Sequence, residues 1–451
     1  MLATEELIQV GFSLHQEGKL EEAEKAYKQA LAQDSDNAES YNLLGVLKLQ
    51  QKDVISAVNF VEKAVEKQPN AYFYETLFQT YIRAKLYKEI VKRAQEVLKK
   101  FPNDFSLMFN LALAYKNLKR NKEAINFYER ALKIDPSSYD AWFNLSHLYS
   151  VEAQTNNALS ALKICQKIRP NDADTEYFLS LALMRVKDYD KGLKLFENRV
   201  CKDTAIALQN KSYPNKARLD NLWKGENIKD KTLLVYYEAG FGDVIMFARY
   251  LPLVAQKCKK LILMCQKPLS KLFRENDLGI DQIIDTYVPE KDLEFDVHAP
   301  LLSLPYLLKL KGDKVFAYSS GYLKPNMQMV EEYKQKYFMN DKIKVGIKWQ
   351  GNTYYDFDRV IPAEEFIPLM QVENTQYYSF QTFEGSEDSK VLKGIIDVGK
   401  DLIDFSQTAA AIANLDLVIC NDTSLAHLAG AMGIPCWVLL PYEVNWRWHT
   451  D

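Results

Sequence analysis

The chain of 451 residues has room for two or three domains, since a single apolar core rarely grows past about 250 residues. Its 47% hydrophobic and 26% charged content is that of an ordinary globular protein, and a net charge of −3 argues against a broad nucleic-acid surface, which needs a net basic face. The six cysteines (Cys165, Cys201, Cys258, Cys265, Cys420 and Cys436) include no C-x-x-C pair, which predicts neither a disulfide framework nor a zinc or other metal site and favours a reducing, cytoplasmic setting.

Met1–Val10 carries Glu5 and Glu6 with no basic leader and no sustained apolar run, so no secretory signal is expected. No charge-free apolar span of about 20 residues follows anywhere, so no transmembrane segment is expected either. Internal periodicity then dominates the first 200 residues. Small residues or their stand-ins recur at Gly11, Gly45, Gln79, Ala112, Ser146 and Ser180, at intervals of 34, 34, 33, 34 and 34. Twelve residues after each comes a second series, Ala23, Ala57, Val91, Ala124, Ala158 and Gly192, and Tyr27, Tyr128 and Phe196 follow four residues later. Pro69, Pro102, Pro136 and Pro170 close the units. Two antiparallel helices per unit explain the pattern: small residues allow close approach, an aromatic fills the gap between units, and proline ends the second helix. The register resembles the tetratricopeptide family over about six units, with the third, 72–104, fitting worst because Gln79 and Val91 stand where small residues belong. Such an array offers a concave groove for a protein or peptide partner. Asn42, Asn110 and Asn144, spaced 68 and 34 apart, would line it as a ladder; ordinary solvated positions, or a self-association surface, are the other readings.

Residues 201–230, rich in Lys and Asn with Pro214 and Gly225, read as a linker whose Leu222-Trp223-Lys224-Gly225 docks as an apolar plug on the next domain. From 231 the period changes. Strands are expected at 232–237 and 261–264, with helices at 243–257 and 267–275; a second set has strands at 344–349, 377–380, 417–420 and 436–440 and helices at 405–414 and 424–432. Alternating strands and helices imply parallel sheets covered on both faces. The expected architecture is therefore α + α/β: a repeat α-solenoid over 1–200, the linker, and two Rossmann-like halves over 231–335 and 336–451, with a ligand cleft at the carboxyl ends of the strands.

Three turns in these halves carry possible chemistry. Glu238-Ala239-Gly240-Phe241-Gly242-Asp243 joins a strand to a helix, where Gly240 and Gly242 let a ligand approach backbone and Asp243 sits at the rim, unless it is simply the helix N-cap. A dinucleotide fingerprint is disfavoured, because Ile245 holds the third glycine position. Asn421-Asp422-Thr423-Ser424-Leu425-Ala426-His427 follows a strand and opens a helix; amides of Thr423, Ser424 and Leu425 could cradle a diphosphate, the alternative being a capped turn with His427 packed in the core. Trp349-Gln350-Gly351-Asn352, with Asp358-Arg359 beyond, offers Arg359 as a phosphate fork or a surface ion-pair partner.

Together Glu238–Pro252, Asp296–Pro305, Val345–Asn352 and above all Asp404–Trp448, with Asp422-Thr423-x-x-Ala426-His427 and Trp446-Arg447-Trp448, resemble the heptosyltransferase-like glycosyltransferases (glycosyltransferase family 9) of GT-B fold. The resemblance implies inverting transfer of a sugar from a nucleotide-diphosphate donor, with Asp243 as base, Arg359 at the diphosphate and Asp422 to His427 as the donor turn. With no Asp-x-Asp at a strand end, it implies metal-independent transfer with no cofactor besides the nucleotide sugar as substrate. It also implies a closing helix beyond Trp448 that 451 residues do not reach. A repeat-bearing transferase acting on a protein acceptor is the leading expectation. A non-catalytic repeat scaffold with a degenerate transferase domain is the alternative.

Overall fold

A computed structural model describes residues 2–200, 221–286, 293–316, 321–351 and 359–448. Most of the expected linker (201–220), together with Asn352 and Asp358, lies outside the described residues. The chain forms two compact units, Met1–Thr175 and Glu176–Asp451.

In the first unit five helix pairs repeat: α1 (Thr4–Gln16) and α2 (Leu20–Gln33), α3 (Ala38–Gln50) and α4 (Val54–Lys67), α5 (Ala71–Arg83) and α6 (Tyr87–Lys100), α7 (Phe105–Asn117) and α8 (Asn121–Ile134), α9 (Tyr139–Val151) and α10 (Thr155–Ile168). Side chains fix where they start. Asn37, Asn70, Asp104 and Ser138 each accept a hydrogen bond from the amide three residues on, satisfying an orphan donor of the first turn. Extended residues before Pro69, Pro102 and Pro136 end the second helices, as the proline ring requires of its predecessor. Between the helices of each pair the backbone turns left-handed at Gly18, Lys52, Lys85, Lys119 and Ala153. Only the first of these turns uses glycine, so side-chain packing holds the other four in a conformation that costs an L-residue about 1 kcal/mol.

The caps also correct the repeat register. Gly45, Ala112 and Ser146 stand eight residues past their N-caps, but in the third unit that position is Phe78, buried at 1% exposure, while Gln79 is exposed. Likewise fully buried Ile90, not Val91, occupies the slot of Ala57 and Ala124. The third unit thus keeps the geometry and fills the small positions with large side chains. By the same count Asn110 and Asn144 lie six residues past their caps and Asn42 only five. These three are therefore not equivalent. Asn42 is fully buried, its amide N and O without a hydrogen-bond partner among the described residues. Asn110 is buried, and half-buried Asn144 accepts from Lys116 Nζ at 2.8 Å.

In the second unit α11 (Ala173–Arg185), α12 (Tyr189–Phe196) and a 3₁₀ turn (Glu197–Val200) carry the sixth repeat. From Glu176 on they pack with the α/β segments, because Met184, Tyr189, Leu193 and Phe196 share one apolar cluster with Trp223, Leu233 and Val235. Trp223 is the expected plug, buried and hydrogen-bonded through its amide to the His298 carbonyl at 2.9 Å. Two all-parallel sheets follow. The first has the order β3 (Gln282–Ile284), β2 (Cys258–Met264), β1 (Ile228–Tyr236), β4 (Val297–Pro300). The second runs β7 (Ile396–Asp397), β6 (Thr375–Ser379), β5 (Ile343–Lys348), β8 (Leu417–Asn421), β9 (Cys436–Leu439). These are the two Rossmann-like halves of a GT-B-type arrangement. Strand order reverses direction at β1/β4 and at β5/β8, the crevices where open α/β sheets hold ligands. The helix expected over 243–257 breaks into α13 (Phe241–Phe247), a 3₁₀ turn at Ala248–Tyr250 and α14 (Leu251–Ala255), which opens just before Pro252. Within the described residues no helix is long and apolar enough to cross a membrane.

Gly45 gives a direct test of repeat packing, since a β-carbon there would lie 2.2 Å from Val61 Cγ2. In an isolated helix Gly→Ala stabilises by about 1 kcal/mol; here Gly45→Ala lowers the unfolding temperature, because overpacking costs about 1–3 kcal/mol. On a Val61→Ala background the same change becomes stabilising.

Candidate functional site

A cleft of 1660 Å³ opens in the second unit. Gly240, Gly242, Asp243, Arg359, Asp422, Thr423, Ser424, Leu425 and His427, singled out from scattered stretches of sequence, all line it. Asn42, Asn110 and Asn144 belong to the first unit.

Two strand–turn–helix units build the floor. β1 leads through Glu238-Ala239-Gly240 into α13, and β8 leads through Asp422-Thr423 into α15 (Ser424–Met432). They meet at Gly242, where a β-carbon would lie 2.6 Å from His427 Cδ2 and 3.4 Å from Ser424 Cα. That glycine permits close packing of the two turns. Gly240, by contrast, has φ −68°, and a β-carbon there would meet only Asp243 Oδ2 at an ordinary 3.7 Å, so neither backbone nor packing demands glycine there.

Asp243 is not the N-cap of α13; Gly240 is, and Asp243 sits at the third helical position. Its carboxylate pairs with the Arg447 guanidinium, which also donates to Asn445 Oδ1 at 2.9 Å. Glu238 is held by a buried fork from Arg199, whose Nη2 and Nε reach its oxygens at 2.6 and 3.1 Å, while Arg199 also meets Ser303 Oγ at 2.8 Å. The turn that presents Asp243 is thus pinned through Glu238.

On the opposite side, α15 starts without help from its cap. The Thr423 hydroxyl donates to the Asn421 carbonyl at 3.3 Å instead of accepting from the helix, and the amides of Ser424 and Leu425 have no protein acceptor among the described residues. Such a helix start attracts anions. Arg359 lies beside it, 3.4 Å from Asp422 Oδ2 and from the Asp422 carbonyl, and its own carbonyl accepts from Asn421 Nδ2 at 2.8 Å.

Sequence reasoning passed over Lys348. It ends β5, pairs in register with Cys420 of β8, and is only 9% exposed. Its ammonium donates to the Phe380 carbonyl at 3.3 Å and the Thr382 hydroxyl at 3.5 Å, and no carboxylate among the described residues pairs with it. Burial pushes its pKa down to about 8. A cation closing the buried Val345-Gly346-Ile347 end of the strand was the signal available in the sequence. Arg447 was visible only as part of the Trp-Arg-Trp block. In that block the ring N–H groups of Trp446 and Trp448 and Nε of Arg447 are buried without acceptors among the described residues.

His427 stacks on Trp448 with ring centres 4.8 Å apart, its Nε2 3.9 Å from Asp422 Oδ1. Burial outweighs the pull of Asp243 and Asp422, and lowers its pKa from 6.5 to about 4. Asp422 is already engaged by Arg359, and Arg447 and Arg249 oppose a further positive charge. At neutral pH His427 is an uncharged ring between the two turns.

Comparison with known proteins agrees with this division. Tetratricopeptide repeat families match residues 11–52, 38–70, 106–138 and 127–161, and glycosyltransferase family 9 (heptosyltransferase) matches 401–439, from just before the Asp404 cap through β8, the Asp422–His427 turn, α15 and β9. Protein FlbA of Caulobacter vibrioides is 24% identical over 244 residues, which cover 48% of this chain and 40% of FlbA. Among solved structures, the tetratricopeptide protein YrrB (22% identity, 38% of this chain and 88% of its own, TM-score 0.34) and PilF of Pseudomonas aeruginosa (18% identity, 45% and 93%, TM-score 0.40) are similar to it.

A neutral buried His427 has a measurable signature. Its folded pKa lies below its unfolded value, so its contribution to stability is complete above about pH 6.5 and is lost as pH falls toward 4. Between pH 7.5 and 5 it accounts for about 2 kcal/mol of lost stability. His427→Asn reduces the pH slope of the denaturant-unfolding free energy by that amount; an unchanged slope would show that the ring is charged or solvated.

Proposed function

We propose that the second unit is a glycosyltransferase that moves a sugar from a nucleotide-diphosphate donor to a hydroxyl acceptor, and that the repeats engage a protein, the acceptor itself. The observation that carries this reading is Lys348: a buried ammonium without a carboxylate partner among the described residues, lining the same cleft as an uncapped helix start. A buried charge is costly unless compensated, and a diphosphate supplies the compensation. The match of glycosyltransferase family 9 to 401–439 falls on that helix start and supports the donor class.

In this mechanism the diphosphate lies against Lys348, Arg359 and the amides of Ser424 and Leu425. Asp243, on the other side of Gly242, takes the proton of the acceptor hydroxyl as its oxygen attacks the anomeric carbon. The bond to the diphosphate breaks from the opposite face, so the anomeric configuration inverts. The charge that grows on the leaving oxygen meets Lys348, Arg359 and the helix amides, which already occupy the role a metal ion plays elsewhere. Arg447 pairs with the Asp243 carboxylate and positions it at the rim before the acceptor arrives. His427, uncharged and wedged at Gly242, holds the two turns in register and leaves the proton chemistry to Asp243.

Two substitutions separate the roles. Ser424→Pro removes one cradle amide at the first helical position, where proline fits, and Thr423 before it is already extended (φ −138°, ψ 173°) as proline demands. The variant keeps its thermal stability and loses nucleoside-diphosphate binding in a calorimetric titration; binding as tight as the parent's would move the donor elsewhere. Asp243→Asn keeps diphosphate affinity and lowers transfer at least about 100-fold, the usual contribution of a general base. Unchanged transfer would leave Asp243 as a partner for Arg447 alone. Absence of any nucleoside-diphosphate binding by the folded parent would favour the scaffold reading instead.

A further inference from the structure

The cleft is larger than one small ligand requires. Sites for drug-sized molecules run to about 1000 Å³, and this one holds 1660 Å³. The donor-side groups Lys348, Arg359, Thr423 and Ser424 account for one wall. The sixth repeat also contributes to the lining: Tyr177, Leu181, Phe196 and Arg199 border the same cleft, with Tyr177 near Asp243 and Arg447.

This part of the lining is firmly built. Tyr177 and Leu181 are four residues apart on α11 and so share one face of the helix. Both are half-buried and pack at the edge of the apolar cluster that also contains Trp223 and β1. The Tyr177 ring stacks on Phe196 with centres 5.9 Å apart and planes 24° off parallel, and the Arg199 guanidinium lies 4.2 Å over the far partner, Phe196. Arg199 is the residue that grips Glu238 at the entrance to the Asp243 turn, and Arg185, at the end of α11, reaches Glu443 just before the Trp-Arg-Trp block at 3.2 Å. The Tyr177 phenol is close enough to feel the charges of Arg447, Arg199, Asp243 and Glu238.

We infer that Tyr177 and Leu181 of the sixth repeat form the acceptor wall of the cleft, against which a polypeptide segment packs to present a serine or threonine hydroxyl to Asp243. The inference rests on the transfer reading above. The charges at this wall are matched within the protein, Arg199 with Glu238 and Glu197 and Arg447 with Asp243. It therefore suits a neutral acceptor and disfavours a phosphorylated or otherwise anionic one. The half-buried Tyr177 ring beside the aliphatic Leu181 gives such a segment apolar area to cover and leaves its hydroxyl to Asp243. The last repeat is then more than a spacer: it completes the acceptor side of the transferase.

The test uses the full chain, the nucleotide sugar found to bind among UDP-, GDP-, ADP- and dTDP-linked sugars carrying a radiolabel, and protein extract from a host cell deleted for this gene. Label transferred to acid-precipitable protein is measured beside nucleoside-diphosphate affinity. Tyr177→Ala leaves that affinity within about twofold and lowers transfer about tenfold, through a raised acceptor KM, while Tyr177→Phe retains transfer. Leu181→Asp acts in the same sense as Tyr177→Ala. Transfer by Tyr177→Ala equal to the parent's would overturn the inference, as would a fall in diphosphate affinity in step with transfer, or label appearing only in acid-soluble sugars. If the parent itself binds none of the diphosphates, the transfer reading fails first and the acceptor wall falls with it.

Discussion

The cleft of the second unit is organised around a buried charge that no carboxylate among the described residues pairs with. Lys348 ends a strand buried on both faces, where a parallel sheet would ordinarily place another aliphatic residue. Its ammonium is left with a carbonyl and a hydroxyl at the long end of hydrogen-bonding range. On the proposed reading an anionic ligand completes it. The uncapped start of α15 and Arg359 lie along the same cleft, and all three attract anions. The topology explains why they converge: β5 and β8 are neighbours whose connections leave in opposite directions, so their carboxyl ends part and expose both loops.

The other side of the cleft depends on contact rather than charge. Gly242 lets the Asp243 turn settle onto His427, and the buried fork from Arg199 to Glu238 holds that turn from behind. On the proposed transfer reading Asp243 takes a proton from one position, and this support matters because small misplacements are expensive in rate. Arg199 comes from the last helical repeat, so the repeat and the turn are parts of one mechanical unit.

Much of this was legible in the sequence, for identifiable reasons. The α15 helix was expected over 424–432 and occupies those residues, because an apolar strand, a polar Asn-Asp-Thr-Ser turn and an alanine-rich run follow one another without ambiguity. The repeats were legible from small residues and prolines, but the third slipped by one position. Phe78 and Ile90 stand where the pattern asks for something small, and only the cap at Asn70 reveals the true register. Asn42 looked like a counterpart of Asn110 because their spacing of 68 equals two full units of 34, whereas Gly45 and Ala112 stand 67 apart. Left-handed turns at Lys52, Lys85, Lys119 and Ala153 left no trace, since tertiary packing and not glycine imposes them. At the site, single-stretch motifs pointed to turns that line one cleft but could not show their partners. Asp243 could be weighed as a rim carboxylate or as a cap but not as an ion-pair partner, because Arg447 arrives from the far end of the chain. Lys348 read as a strand end because its isolation from carboxylates is a property of the folded cleft.

The most direct measurement of the central claim is a calorimetric comparison of nucleoside diphosphates with the corresponding monophosphates, on the parent chain and on Lys348→Met. The account predicts that the parent prefers the diphosphate by at least about tenfold, the worth of one charge-assisted contact, and that Lys348→Met, correctly folded, loses most of that preference. Equal affinity for both nucleotides in the parent, or an undiminished preference in Lys348→Met, would contradict it.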